Sequence, residues 1–305
     1  MPRLNHRWFL FSLLVVPWLA IAHARQSDKS TEPLTQNLHD AAAPQSSGSA
    51  AGSAPSCPAR NLLLTYNDDR WGRVREFPIW HFRDRNAFFF TSGMTIDADG
   101  APNAYNAANT GLDDLANAGE PGHWEGILQD KAGNPLVQGP GDPFPGYYIS
   151  CTSLADWTKP LNDPARFVDA AKIPYIVLPG EVARESGARL GDMAVVVNLW
   201  SGNYSYAIFA DIGTLGEGSI ALADNLGISS DARHGGTGWG VLYLVFPGSG
   251  DHRPKTIDEI DRATQKLLSD WGGIAQLGAC AQDQVKVQPP PPRPPFAREY
   301  HPPVN

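Results

Sequence analysis

The stretch YAIFADIGTLGEGSIALADNLGI, residues 206–228, decides how the chain is read. Its first part, 206–212, is an apolar and aromatic run that predicts a strand ending at Asp211. A turn punctuated by Gly213, Gly216 and Gly218 follows, leaving room for a ligand close to the backbone. Ser219 is then placed to cap a short helix that carries Ile220, Leu222 and Leu226 and stops at Gly227. A strand end therefore fixes Asp211, and a loop braced by a helix start fixes Glu217. Hydrolysis of a glycosidic bond needs two such carboxyl groups, one protonated and one ionised. A capped turn with two solvated acids has the same spacing, so the segment alone leaves both readings open.

Outward from it, strand signals dominate. AFFFTSGMTI (87–96), YYISCTSL (147–154), PYIVLP (174–179), MAVVVNLW (193–200) and VLYLVF (241–246) are rich in β-branched and aromatic residues between Gly, Pro, Asn and Asp clusters. Several are apolar on consecutive residues, which predicts strands covered on both faces or closed into a barrel. One clear helix begins after Thr256, where Glu259 completes a capping box. Ile257, Ile260, Leu267, Leu268 and Trp271 recur at helical spacing until Gly272 and Gly273. The fold class is mainly β with a few short helices, in a single domain.

The flanks differ in character. Arg3 and Arg7 precede an apolar run, and Ala22-His23-Ala24 fits a signal-peptidase site, so residues 1–24 read as a cleaved export signal. Residues 25–56 are Ser, Ala, Gln, Gly and Pro with almost no large apolar groups, the composition of a disordered linker. Residues 57–286 form one domain's length of chain, and 287–305 is a proline-rich tail expected to be extended. A secreted or periplasmic location follows from the signal. The formal charge of −8 becomes −10 when Arg3 and Arg7 leave, and the pI is near 5.4. Nucleic acid and anionic membranes are poor partners for such a chain, which is expected to act as a monomer.

The three cysteines allow at most one internal bridge. Cys57 with Cys280 is favoured, because these two bracket the structured region; Cys151 then reads as a buried thiol rather than a nucleophile. No zinc spacing, G-x-S-x-G elbow, H-E-x-x-H pair or phosphate loop is present. HGGTGWG (234–240) reads as a surface loop, and His234 and His252 as solvated. The run TIDADGAP fails as an EF-hand, since Asn106 stands where a bidentate Glu is needed. Asp97 and Asp99 remain as turn formers or as receptors for a cationic group.

Between residues 87 and 250 the chain resembles the fungal-type endo-chitosanases, glycoside hydrolase family 75. The resemblance is carried in order by MTIDADGAPNAY, TGLDDLANAG, VQGPGDPFPGYYISCTSL, PYIVLPG, LGDMAVVV, YAIFADIG, GEGSIALADNLGI and VFPGSG. It implies endo-hydrolysis of chitosan, a β-1,4-linked glucosamine polymer, with inversion and without a cofactor or metal. It also implies that the essential carboxylates are Asp211 and Glu217, with Glu217 as acid and Asp211 as base. The helix start after Glu217 argues for the reverse, because its partial positive charge favours an ionised carboxylate. A substrate bearing ammonium groups gives Asp97, Asp99 and Asp113 a role in binding, and Tyr105, Trp124 and Trp239 are candidate faces for sugar rings. Ala98 stands where the family often has cysteine. The A-D-x-G turn is similar to that of six-stranded double-psi β-barrels, an analogy of fold alone. A peptidoglycan glycan-strand cleaving enzyme and a non-catalytic carbohydrate-binding module are the alternatives.

Overall fold

The consecutive apolar runs belong to strands that close on themselves. The structure, a computed structural model, describes residues 36–37, 55–69 and 74–285, with side chains described for 55–69 and 74–281. The expected signal (1–24), most of the expected linker (25–56) and the tail (287–305) lie outside the described residues. The described residues belong to one compact unit.

Its strands are β1 (Gln36–Asn37), β2 (Arg60–Asp68), β3 (Arg75–Phe82), β4 (Phe88–Asp97), β5 (Gly119–Glu120), β6 (His123–Trp124), β7 (Tyr175–Leu178), β8 (Met193–Asn198), β9 (Asn203–Ile212), β10 (Glu217–Ser219) and β11 (Thr237–Phe246). The helices are α1 (Gly180–Ser186), α2 (Ile220–Leu226), α3 (Ile257–Trp271) and α4 (Gly273–Val285). Six strands run in the order β10-β7-β9-β8-β11-β4, and β4 pairs back onto β10, so the sheet is a closed barrel. Closure removes the free edges that an open sheet would expose. β3 and β2 extend the sheet beyond β4, and β1, inside the segment read as linker, pairs with β9.

Two of the barrel pairings are parallel, and they place the acids. In β4–β10, Glu217 stands opposite Thr95 and Ser219 opposite Asp97. In β7–β9, Asp211 stands opposite Val177. Residues more than a hundred positions apart thus meet at one end of the barrel.

Alternation along the strands separates two apolar clusters. Phe90, Ala194, Val196, Phe209, Val241 and Tyr243 face one way with Val182 of α1 and Leu222 and Leu226 of α2. Phe89, Val195, Val197, Ile208, Leu242 and Leu244 face the other way with Ile260, Leu268 and Trp271 of α3. Both faces are covered, which is why the strands read as unbroken apolar runs rather than alternating ones.

The local chemical signals hold in the structure. Ser219 caps α2 by accepting from the Leu222 N–H, and Gly227 closes it in the left-handed conformation. Thr256 and Glu259 form the capping box of α3. Cys57 and Cys280 are joined, with their Cα atoms 4.6 Å apart. Two expectations need correction. Residues 147–154 form no strand; among the described residues the segment's only ladder-type pairings are isolated bridges, Val137 with Tyr148 and Ile127 with Ser150. Its N–H groups go to separate partners, Tyr148 to the Tyr105 carbonyl, Cys151 to Gly126 and Leu154 to Ala210, so it wraps loops onto the barrel. Residues 237–240 are not loop but the start of β11, with a register shift between Thr237 and Val241. Gly272 ends α3 as its C-cap, as the sequence indicates, and a further helix that the sequence did not signal, α4, follows from Gly273. Its sequence, GIAQLGACAQ, has too many small residues to show a strong apolar stripe. Among the described residues no helix is long and apolar enough to cross a membrane.

Candidate active site

Asp211 is 8% exposed, near the end of β9. Its Oδ1 accepts three hydrogen bonds, from Ser153 N at 2.9 Å, Ser153 Oγ at 2.5 Å and Ile212 N at 2.8 Å. Burial pushes its carboxyl up to about 6; the Ser153 and Ile212 donors oppose that rise and the nearby Glu217 charge adds to it. A carboxylic acid that stays partly protonated in mildly acidic water is suited to donating a proton.

Glu217 opens β10, two strands away across β7, and is partly exposed. Its Oε2 accepts the Thr214 N–H at 2.9 Å. The glycines of the turn are needed for close approach. A Cβ on Gly213 would stand 2.9 Å from Glu217 Oε2 and from Val177 Cγ1, and one on Gly216, at φ +84°, would meet Ser92 Oγ at 2.6 Å.

Asp97 and Asp99 lie beside this pair. Ligand oxygens of Asp97, Asp99 and Asp211 fall within 4.8 Å of one another. Asp97 accepts the Asp99 N–H at 2.8 Å, which makes it a turn former as well as a site group. Both are raised well above the ordinary carboxylate range, first by burial and then by neighbouring acids: Asp211 and Glu217 act on Asp97, Asp97 and Asp211 on Asp99. Among the described residues no salt bridge reaches Asp97, Asp99, Asp113 or Asp211. The cluster has the donor set for a cation, whether a metal ion or an ammonium group.

The other expected site residues divide. Tyr105 is no sugar platform, because it is only 2% exposed. Its hydroxyl instead donates to Asp99 at 2.8 Å and lies 3.2 Å from Asp113 Oδ2. Asp113 is likewise buried, behind Tyr105, and accepts from Asp114 N and Asn117 Nδ2. Burial pushes it up to about 6. Trp124 is half-buried and tilts against Tyr148. Trp239 is half-buried at the start of β11, where its carbonyl accepts from Trp200 Nε1. Cys151 is a free thiol pushed up to about 12 by burial, then by Asp99 and Asp211, as suits an inert group. Sequence reasoning missed Ser153, which grips Asp211, and Tyr175, whose buried hydroxyl donates to the Asp99 carbonyl at 3.0 Å. Both lie in apolar segments with no local mark of their contacts.

The raised acids carry a stability signature. Asp113 and Asp211 keep their protons up to about pH 6, whereas in the unfolded chain they lose them near pH 4. Between those values the folded state binds more protons, so stability falls as pH rises through the window. Melting temperature should drop between pH 4 and 6, and the drop should be shallower in Asp113→Asn. An unchanged slope in that variant would assign the effect to other groups.

The closed barrel thus holds a buried carboxyl raised to about 6 near a more accessible one, beside further acids. The family model described as fungal chitosanase of glycosyl hydrolase group 75 matches residues 94–271. That is more than half of the chain, and the chain belongs to this family: it is a chitosanase-like glycoside hydrolase. No curated protein matches it.

Proposed function

We propose that the protein is an exported endo-hydrolase that cleaves chitosan with inversion, using Asp211 and Glu217 as its acid–base pair. The observation that carries this reading is the placement of the two carboxylates on strands that flank β7. Two strand spacings of about 4.8 Å set their backbones about 10 Å apart. An inverting pair needs its carboxyl groups about 6.5–9.5 Å apart, to admit water opposite the leaving group.

Burial favours Asp211 as the acid, reversing the assignment that the family resemblance implies. Held by Ser153, it gives its proton to the glycosidic oxygen as the bond breaks. Glu217, the more accessible to water, takes a proton from the water that attacks the far face of the sugar. The acid cluster supplies the specificity. Asp97 and Asp99 crowd beside Asp211 with no salt bridge to balance them among the described residues, and a glucosamine ammonium entering there takes the place of a proton held by Asp97 or Asp99, while Asp211 keeps its own. Export is inferred from residues 1–24 and agrees with the Cys57–Cys280 bridge, since disulfides persist in oxidising compartments.

A viscosity assay on chitosan of defined acetylation, with chitin and carboxymethylcellulose alongside, tests the substrate and the endo mode. A fast viscosity fall on chitosan alone is expected, with release of the inverted anomer by proton NMR. Clearing of purified cell wall without chitosan cleavage would move the enzyme to peptidoglycan, and binding without cleavage would make it a carbohydrate-binding module. Asp97→Asn should raise KM on chitosan by about two- to tenfold, as for an interaction of roughly 0.5–1.5 kcal/mol. The rise should be smaller on a heavily acetylated polymer and should shrink with added salt. An unchanged KM with lowered thermal stability would make Asp97 a turn residue only.

A further inference from the structure

We propose that Trp157 is a stacking platform for one glucosamine ring of the polymer, a short way along the chain from the bond that is cleaved. This assignment rests on the chitosan-hydrolase reading and extends it to a subsite outside the carboxylates. Trp157 is 73% exposed, the highest value among the exposed large apolar side chains described. Such an indole keeps a large apolar face in water, with a free energy to be gained by covering it.

The ring is nevertheless held in place. The guanidinium carbon of Arg166 lies over it, 4.4 Å from the ring centre. Arg166 is itself buried, and its Nη1 donates to the Lys159 carbonyl at 2.6 Å. The adjoining backbone is pinned as well: Asp156 N donates to the Arg166 carbonyl at 2.8 Å. Asp156 Oδ1 accepts from Thr158 N at 3.0 Å and Thr158 Oγ1 at 2.6 Å. A buried cation therefore backs one face of the indole while the other is left to solvent. A ring ordered before the ligand arrives loses little freedom on binding. Trp200, also exposed, differs in that its Nε1 is already committed to the Trp239 carbonyl at 3.2 Å.

Position ties the platform to the site. Trp157 is four residues beyond Ser153, whose N–H and hydroxyl hold Asp211. Four extended residues reach at most about 14 Å, and the Leu154 N–H anchors the start of the segment on the Ala210 carbonyl. Trp157 thus stands within a few sugar rings of the cleaved bond. A pyranose ring offers an apolar C–H face with its amine and hydroxyls at the rim, the shape that a flat aromatic surface accepts.

The test uses the full chain carrying Glu217→Gln, titrated with a glucosamine hexamer by calorimetry and tryptophan fluorescence. Adding Trp157→Ala should weaken hexamer binding by about tenfold, whereas Trp157→Phe, which keeps a flat ring, should retain most of the affinity. Melting temperatures should differ by no more than a few degrees, because the side chain is exposed and gives up only its contact with Arg166. In the otherwise unmodified enzyme, Trp157→Ala should raise KM on the polymer and leave kcat near its original value. Equal hexamer affinity with and without the indole would overturn the platform while leaving the hydrolase reading intact, as would equal loss in the Ala and Phe variants. If the unmodified chain neither binds nor cleaves chitosan, the parent reading fails and takes the platform with it.

Discussion

Asp211→Asn and Glu217→Gln should each lower chitosan hydrolysis by about two or more orders of magnitude, within the range typical of general acid–base catalysis. The fold should survive both changes. In Asp211→Asn the amide carbonyl oxygen still accepts the Ser153 and Ile212 donors that the carboxylate Oδ1 accepts now. In Glu217→Gln the amide carbonyl still accepts the Thr214 N–H. Replacing a buried acid with an amide also removes the cost of ionising it, so Asp211→Asn should be no less stable than the native chain at neutral pH. The two roles separate with modified reactants. Without its acid the enzyme should still cleave an activated aryl glycoside of a glucosamine oligomer, because that leaving group needs no proton. Without its base it should respond to azide, which attacks without surrendering a proton. The opposite pattern would return Glu217 to the role of acid, and a variant that keeps more than a third of the native rate would remove that residue from the pair.

Reduction of the Cys57–Cys280 bridge, or its removal in Cys57→Ala/Cys280→Ala, should cost about 2–5 kcal/mol of stability. The bridge spans 223 positions of sequence, so breaking it releases nearly the whole domain from a covalent ring and enlarges the unfolded ensemble. Cys280 lies fully buried in the apolar cluster shared with α3, and its loss also loosens the packing of α4. The carboxylates stand on barrel strands held by their own ladders, so kcat at low temperature should change little. Thermal melting with and without a reductant measures the effect, and Cys151, already a free thiol, gives no competing signal. A melting temperature indifferent to reductant would mean that packing alone holds the two ends of the domain.

The local structure around the two candidate carboxylates was legible because its signals are local. Asp211, the glycine turn, Glu217 and the Ser219 cap occupy nine consecutive residues, and each step follows from a preference of backbone or side chain that neighbours a few positions away can express. The capping box at Thr256 and Glu259 is of the same kind. Residues 147–154 misled for a matching reason. Their composition is that of a strand, but strand formation depends on a partner edge, and closure of the barrel leaves no edge there. Tyr105 misled because an aromatic residue looks the same in sequence whether its ring meets solvent or packs against buried acids.

From sequence alone came the mainly β class, the caps and the favoured pairing of Cys57 with Cys280, which bracket the structured region, while Asp211 and Glu217 were singled out by the family resemblance rather than by their spacing. Only the tertiary structure brought Asp97 and Asp99, on one strand end, beside Asp211, on another. It also set Ser153 against Asp211 and raised Asp211 to about 6. Burial and proximity are properties of the closed barrel: desolvation depends on everything packed around a carboxyl, and the parallel β4–β10 and β7–β9 pairings join segments that share no local signal. The same reason governs Trp157, whose exposure and arginine backing exist only once the loop after Ser153 is folded against the barrel.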